Sequence, residues 1–153
     1  MLSSEKLKSL KISLPKAPKP VGAYVAFKKV NKLVYISGQL PIDTSGNILK
    51  GKIGSNLTVE KGQEAAYLCT INILSQIKEA CNGDIDKVKS CIKITGYVNS
   101  IDEFYDQPKI INAASDLIAS IFGDPGKHSR AAISVNSLPL GASVEIDAIF
   151  EIN

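Results

Sequence analysis

The stretch that decides the fold is H-S-R-A-A-I-S-V-N-S-L-P-L-G-A-S-V-E-I-D-A-I-F-E-I, residues 128–152. It reads as two strands, 129–136 and 143–152, joined by Ser-Leu-Pro-Leu-Gly-Ala, where Pro and Gly signal a turn. Side chains alternate across a strand. In the first strand Ala131, Ile133 and Val135 therefore point one way, and Arg130, Ala132, Ser134 and Asn136 the other. In the second, Val144, Ile146, Ala148, Phe150 and Ile152 form the apolar face, opposite Ser143, Glu145, Asp147 and Glu151. If the strands pair as a hairpin about Ser137–Leu138, Arg130 and Glu145 stand side by side on the polar face.

Arg130 is the one arginine among 18 basic side chains. A guanidinium is a planar fork that grips a carboxylate or phosphate at two points, which an ammonium cannot do. Two readings are open at this point. One is a surface cross-strand ion pair, worth about 0–1 kcal/mol. The other is an anion clamp beside a carboxylate that handles a proton or a water.

The chain has 153 residues, 44% hydrophobic and 22% charged, as expected of one globular domain able to bury a core. No apolar run approaches the ~20 residues that span a bilayer, and charges interrupt the N-terminus where a signal peptide would need an apolar run. The three cysteines, Cys69, Cys81 and Cys91, are odd in number and form no C-x-x-C pair. Free, buried thiols in a reducing compartment fit best, so the chain is expected to be cytoplasmic. His128 is the one imidazole and has no cysteine near it in sequence, so no metal site is expected. It is read as exposed near the start of its strand.

Residues 1–32 hold eight lysines and one acid, Glu5, for a net of +7, which leaves −4 of the overall +3 for the rest. Such an arm could touch phosphates. It has no arginine and little aromatic interleaving, so a solvated lysine surface is the plainer reading. Within it, Ser3 or Ser4 could cap a short helix carrying Leu7 and Leu10, and 16–20 (K-A-P-K-P) is an extended connector. Residues 1–19 are taken as an N-terminal extension and 20–153 as one domain.

Residues 24–30 and 32–37 read as strands turning at Asn31, the second β-branched and aromatic. It runs into Ser37-Gly38-Gln39-Leu40-Pro41, where Gly38 permits a close approach or marks a bulge. Thr58 is an N-cap for a helix to about residue 81, with a stripe of Gly62, Ala66, Cys69, Ile73, Ile77 and Ala80. A strand is expected over 88–98. A second helix spans roughly 104–122, with Pro108 in its first turn or splitting it into two pieces, a stripe of Ile111, Ala114, Leu117, Ile118 and Ile121, and Asn112 on a neighbouring face. The element order predicts an α+β layer fold, a mixed and mainly antiparallel sheet with both helices on one face. Something must cover the other face; small residues such as Ala132 and Ser134 suggest a second copy.

Several landmarks coincide: Tyr24 after Pro-Val-Gly-Ala, Ser-Gly-Gln-Leu-Pro after a strand, Asn112-Ala113 in the last helix, Arg130 ahead of a Leu-Pro turn, and Glu145 within Val-Glu-Ile-Asp-Ala-Ile. On these the chain resembles the RidA (YjgF) family of reactive-intermediate imine deaminases, also known as endoribonuclease L-PSP. The resemblance covers about residues 20 to 152. It implies a chorismate-mutase-like fold, a homotrimer with three clefts between subunits, and no cofactor. It implies that Arg130 clamps the substrate carboxylate, that Glu145 orients or activates water, and that Tyr24, Ser37, Gly38 and Asn112 line the pocket. The implied reaction is hydrolysis of an amino-acid-derived enamine or imine to a 2-keto acid and ammonia. A cysteine common in the family two residues after the arginine is Ala132 here, and the N-terminal segment and first helix are longer. A non-catalytic carboxylate binder and an RNA-cleaving enzyme are the competing readings.

Overall fold

The apolar stripe from Gly62 to Ala80 dictates one long helix, and Thr58 starts it by accepting a hydrogen bond from the Lys61 amide at 3.2 Å. A computed structural model describes all residues from 1 to 153. In it this helix, α2 (Val59–Ala80), lies beside α3 (Gln107–Phe122), which begins one residue before Pro108. All six residues of the α2 stripe and all five of the α3 stripe are buried. They pack on one face of a five-stranded sheet of β1 (Phe27–Val30), β2 (Leu33–Gln39), β3 (Val88–Asn99), β4 (Ser129–Val135) and β5 (Val144–Ile152), in the order β1-β2-β5-β3-β4. The core joins Val34 and Ile36 of β2, Ile94 and Val98 of β3, and Val144, Ile146, Ala148 and Phe150 of β5 to the two helices. Gly96 leaves room for Ile111 to lie directly over β3. The α+β fold expected from the sequence is the one observed, with three of four strand pairings antiparallel and β3–β4 parallel.

The last two strands are not a hairpin. β3 lies between them, pairing with β4 on one side and β5 on the other. The linker from Asn136 to Ser143 instead crosses the end of β3. It is held there by the Asn99 side-chain amide on the Ala142 carbonyl (3.1 Å) and by Lys52 Nζ on the Asn136 carbonyl (2.7 Å). Arg130 is thus aligned with Ile94, and Glu145 with Tyr97. The expected side-by-side register is overturned.

The two polar rows also take opposite faces. Ala132 lies opposite Gly96, and Ser134 bonds to Gln107 of α3 at 2.7 Å, so the Arg130 row faces the helices. Ala131 and Ile133 are exposed on the other face. In β5 the order reverses, with Ile146 and Phe150 inside and Glu145 and Asp147 on the open face. Ala132 and Ser134, expected to greet a partner, therefore pack towards α3.

Two local expectations shift. β1 begins at Phe27, leaving Tyr24 in the loop before it. The first helix, α1 (Ser3–Ser9), has Leu2 at its N-cap, because Ser4 instead gives its amide and hydroxyl to Asp86 at 2.8 and 2.6 Å. Leu7 enters the core, so α1 is docked against the domain. Burial pushes the Asp86 carboxyl up, but the bonds from Ser4 and Ser3 and the charge of Lys8 together outweigh it and leave the group below its ordinary value.

Candidate functional site

Two clusters of the expected residues form, on opposite faces of the sheet. The first surrounds Glu145. At Gly38 the register of β2 against β5 slips, and the Glu145 carboxylate lies against the bare backbone there. A β-carbon at 38 would stand 2.5 Å from Glu145 Oε1 and 2.8 Å from its Cδ. Both readings of this glycine hold: it marks an irregularity in the ladder, and it permits a close approach, made by the chain's own carboxylate.

The carboxylate is half-buried and accepts no hydrogen bond from the chain; burial, and then the charge of Asp147, hold it above the ordinary carboxylate value. Beside it is a cavity of about 60 Å³, walled by Pro18, Val21, Tyr24, Leu40, Ile42 and Pro139 among others. The connector 16–20 is thus part of the site. Gln76 of α2 fixes it there by donating to the Pro18 carbonyl at 2.6 Å. Tyr24 reaches the cavity from its loop. Ser37 serves this side from behind: its hydroxyl donates to the Val25 carbonyl at 2.7 Å and its amide to that of Ala26, which anchors the Tyr24 loop to β2.

The second cluster surrounds Arg130. Its Nη1 donates to Asn112 Oδ1 at 2.9 Å and to Ser115 Oγ at 3.1 Å, both on α3. His128 is half-buried, not free: Nε2 lies 2.9 Å from Ser115 Oγ and Nδ1 2.7 Å from the Gly126 carbonyl. These groups line an open cleft with Asp116 and Lys127. Ser115 and the bonded His128 escaped the sequence reading. Ser115 lies three residues after Asn112, one turn along α3, and that spacing was the available signal.

Within one chain, then, Arg130 gathers with Asn112, and Glu145 with Gly38 and Tyr24. The sheet separates the two groups. Chemically, the Arg130 cluster offers a fork for an oxyanion and the Glu145 cluster a carboxylate raised towards proton exchange beside a small, partly apolar space.

The three cysteines are buried free thiols. Burial raises Cys69 well above its ordinary value and Cys91 to about 12, so both are packing groups rather than nucleophiles. No cluster of three or more His, Cys, Asp or Glu side chains is placed to hold a metal ion, and no helix is long and apolar enough to cross a membrane.

A family model described as "YjgF/chorismate_mutase-like, putative endoribonuclease" matches residues 4–151. Protein TCP17 of Trypanosoma cruzi is 43% identical over 148 residues, 96% of this chain and 92% of that protein. A goat (Capra hircus) 2-iminobutanoate/2-iminopropanoate deaminase is 32% identical over 139 residues, 90% of this chain and 86% of that one. Among solved structures, the protein Atu1372 of Agrobacterium tumefaciens, of unknown function, is 46% identical and superposes with a TM-score of 0.90, covering 99% of this chain and 94% of its own.

Proposed function

Since this chain belongs to the YjgF/RidA family, we propose that it hydrolyses 2-imino acids and their enamine tautomers to 2-keto acids and ammonia, in clefts completed by a second copy of the chain. The observation that carries this reading is the Glu145 carboxylate: half-buried, without a hydrogen bond from the chain, and facing a cavity. A carboxylate so placed suits proton transfer.

The imine carbon is already electrophilic, so the chemistry needs positioning and proton transfer. Arg130 holds the substrate carboxylate through its Nε and Nη2 donors, since Nη1 is already engaged. Glu145 takes a proton from water as its oxygen bonds to the C=N carbon. That proton passes to nitrogen to give the neutral carbinolamine, and Glu145 then carries the hydroxyl proton to the same nitrogen as the C–N bond breaks, so ammonia leaves. The 2-keto acid remains. The small cavity beside Glu145 suits a short alkyl group on the imine carbon.

Arg130 and Glu145 face opposite sides of one sheet, so a site using both must draw them from two copies. A homotrimer with three such clefts, its open sheet faces turned inward, meets that demand. Buried reduced thiols suit a reducing compartment, and we place the activity in the cytoplasm. An endoribonuclease reading has less support, because the one histidine is engaged through both ring nitrogens.

The test is a coupled assay in which an amino-acid-consuming enzyme generates 2-iminobutyrate and loss of the C=N absorbance is followed. Turnover should fall about 100-fold in Arg130→Lys, which keeps the charge and loses the fork. Undiminished turnover in that variant, or none in the native chain, overturns the proposal. Calorimetric binding of 2-oxobutanoate without ammonia release would mark a carboxylate-binding module instead.

A further inference from the structure

Arg130 ends a hydrogen-bonded chain that begins at the Gly126 carbonyl, in the turn after α3. Gly126 packs so closely on that helix that a β-carbon would stand 2.7 Å from the Ile118 carbonyl oxygen and 3.0 Å from Ala119 Cα. Both neighbours are backbone atoms and cannot swing aside. The Gly126 carbonyl is therefore fixed relative to α3.

That oxygen can only accept, so the His128 nitrogen 2.7 Å away, Nδ1, carries the proton. In the neutral ring Nε2 is then an acceptor, and the Ser115 hydroxyl donates to it over 2.9 Å. With its proton committed, Ser115 Oγ presents lone pairs to Arg130 Nη1 at 3.1 Å. Asn112 Oδ1 accepts the other Nη1 proton at 2.9 Å. Every donated proton in the series has one acceptor, and the polarity from Arg130 to Gly126 runs one way.

We propose that Ser115 and His128 are positioning residues for the carboxylate clamp, holding the Arg130 guanidinium so that its Nε–Nη2 edge meets the substrate. This rests on the reading of Arg130 as a carboxylate site given above. A long side chain on an edge strand samples many rotamers, and a guanidinium already fixed at one end loses less freedom when it binds. Asn112 alone would leave it free to pivot about a single bond. Ser115 is the second anchor, and His128 keeps the hydroxyl turned so that it accepts.

The experiment measures 2-oxobutanoate dissociation constants and 2-iminobutyrate kinetics for the native chain, Ser115→Ala, Ser115→Thr, His128→Leu and His128→Gln. Losing an anchor should raise Kd and KM about tenfold in Ser115→Ala and His128→Leu, with kcat within about twofold, because only preorganisation is lost. Ser115→Thr keeps the hydroxyl and His128→Gln keeps one donor and one acceptor, so both should recover most of the affinity. Binding of the neutral amide 2-oxobutanamide should be the same in all five proteins. A Ser115→Ala chain with native Kd and KM overturns the positioning role alone. So does a loss that falls on the amide equally or on kcat, which would indicate general structural damage. A native chain that binds no 2-oxobutanoate overturns the carboxylate reading, and this inference with it.

Discussion

The Glu145 carboxylate rests on the backbone of Gly38, closely enough that a β-carbon there would stand 2.5 Å from Oε1. The atom in the way is the end of a flexible side chain, so a larger residue would displace Glu145 rather than break the sheet. Gly38→Ala is therefore a probe of where the carboxylate must be. It should leave melting almost unchanged, since alanine in a strand offsets some strain by about 0.5–1 kcal/mol. Turnover should fall about 10–100-fold, as expected when a reacting group moves by an ångström. Thermal melts and steady-state kinetics on one preparation check both halves, and a fully active variant would show that the carboxylate's place is immaterial.

Glu145 also sets a pH dependence whose sign can be worked out. Burial first and Asp147 second raise it above the ordinary value of 4.5. The fold thus favours the protonated form. The stability this contributes is fully present below the ordinary value and is lost as pH rises through the folded value. Activity runs the other way, rising with pH as the base ionises. Glu145→Gln should therefore melt higher than the native chain at pH 7 and lose about 100-fold or more in turnover. Equal melting temperatures at pH 7 would contradict the buried-charge account.

Asp147 accepts a hydrogen bond from Tyr97 at 3.0 Å and lies on the same face as Glu145. Asp147→Asn removes its charge but keeps an acceptor for Tyr97. The acid limb of kcat/KM should move to lower pH. It should stop short of the ordinary carboxylate value, because burial is the larger cause and remains. A limb that does not move would assign the proton transfer to another group.

A site shared between copies makes a sharper demand. Arg130→Lys and Glu145→Gln chains should each be nearly inactive alone. Mixed at equal amounts under conditions that exchange subunits, about one cleft in four combines a native arginine with a native glutamate, in any closed ring of such contacts. Activity should therefore return to about a quarter of native. Recovery of none, once exchange is verified by mass spectrometry, would place the site within one chain.

The docking of α1 is equally open to measurement. Leu7 is buried in the core cluster, and Ser4 bonds Asp86 through two atoms. Leu7→Ala should cost about 2 kcal/mol of docking free energy. That corresponds to about 30-fold faster cleavage of the first dozen residues in limited proteolysis. An unchanged cleavage rate would mean that α1 is held by other contacts.

Much of this protein is legible in one dimension because a helix and a strand impose fixed periods. The stripes of α2 and α3, the Thr58 cap, the Asn31 turn and the alternation in β4 and β5 all follow from local sterics and side-chain polarity. Three candidate site residues are legible in the same way, since an isolated arginine, a glycine after a buried strand and a glutamate in an alternating strand are visible without neighbours; Tyr24, Ser37 and Asn112 are singled out by the family resemblance alone. Alternation assigns residues to two faces of their own strand. It does not say which face meets the helices, nor which strand lies alongside. Only the tertiary structure, by inserting β3 between β4 and β5, turned Arg130 towards α3 and Glu145 towards the open face. The bonds linking His128, Ser115 and Arg130 likewise belong to three dimensions, because they join a turn, a helix and an edge strand that no sequence period connects.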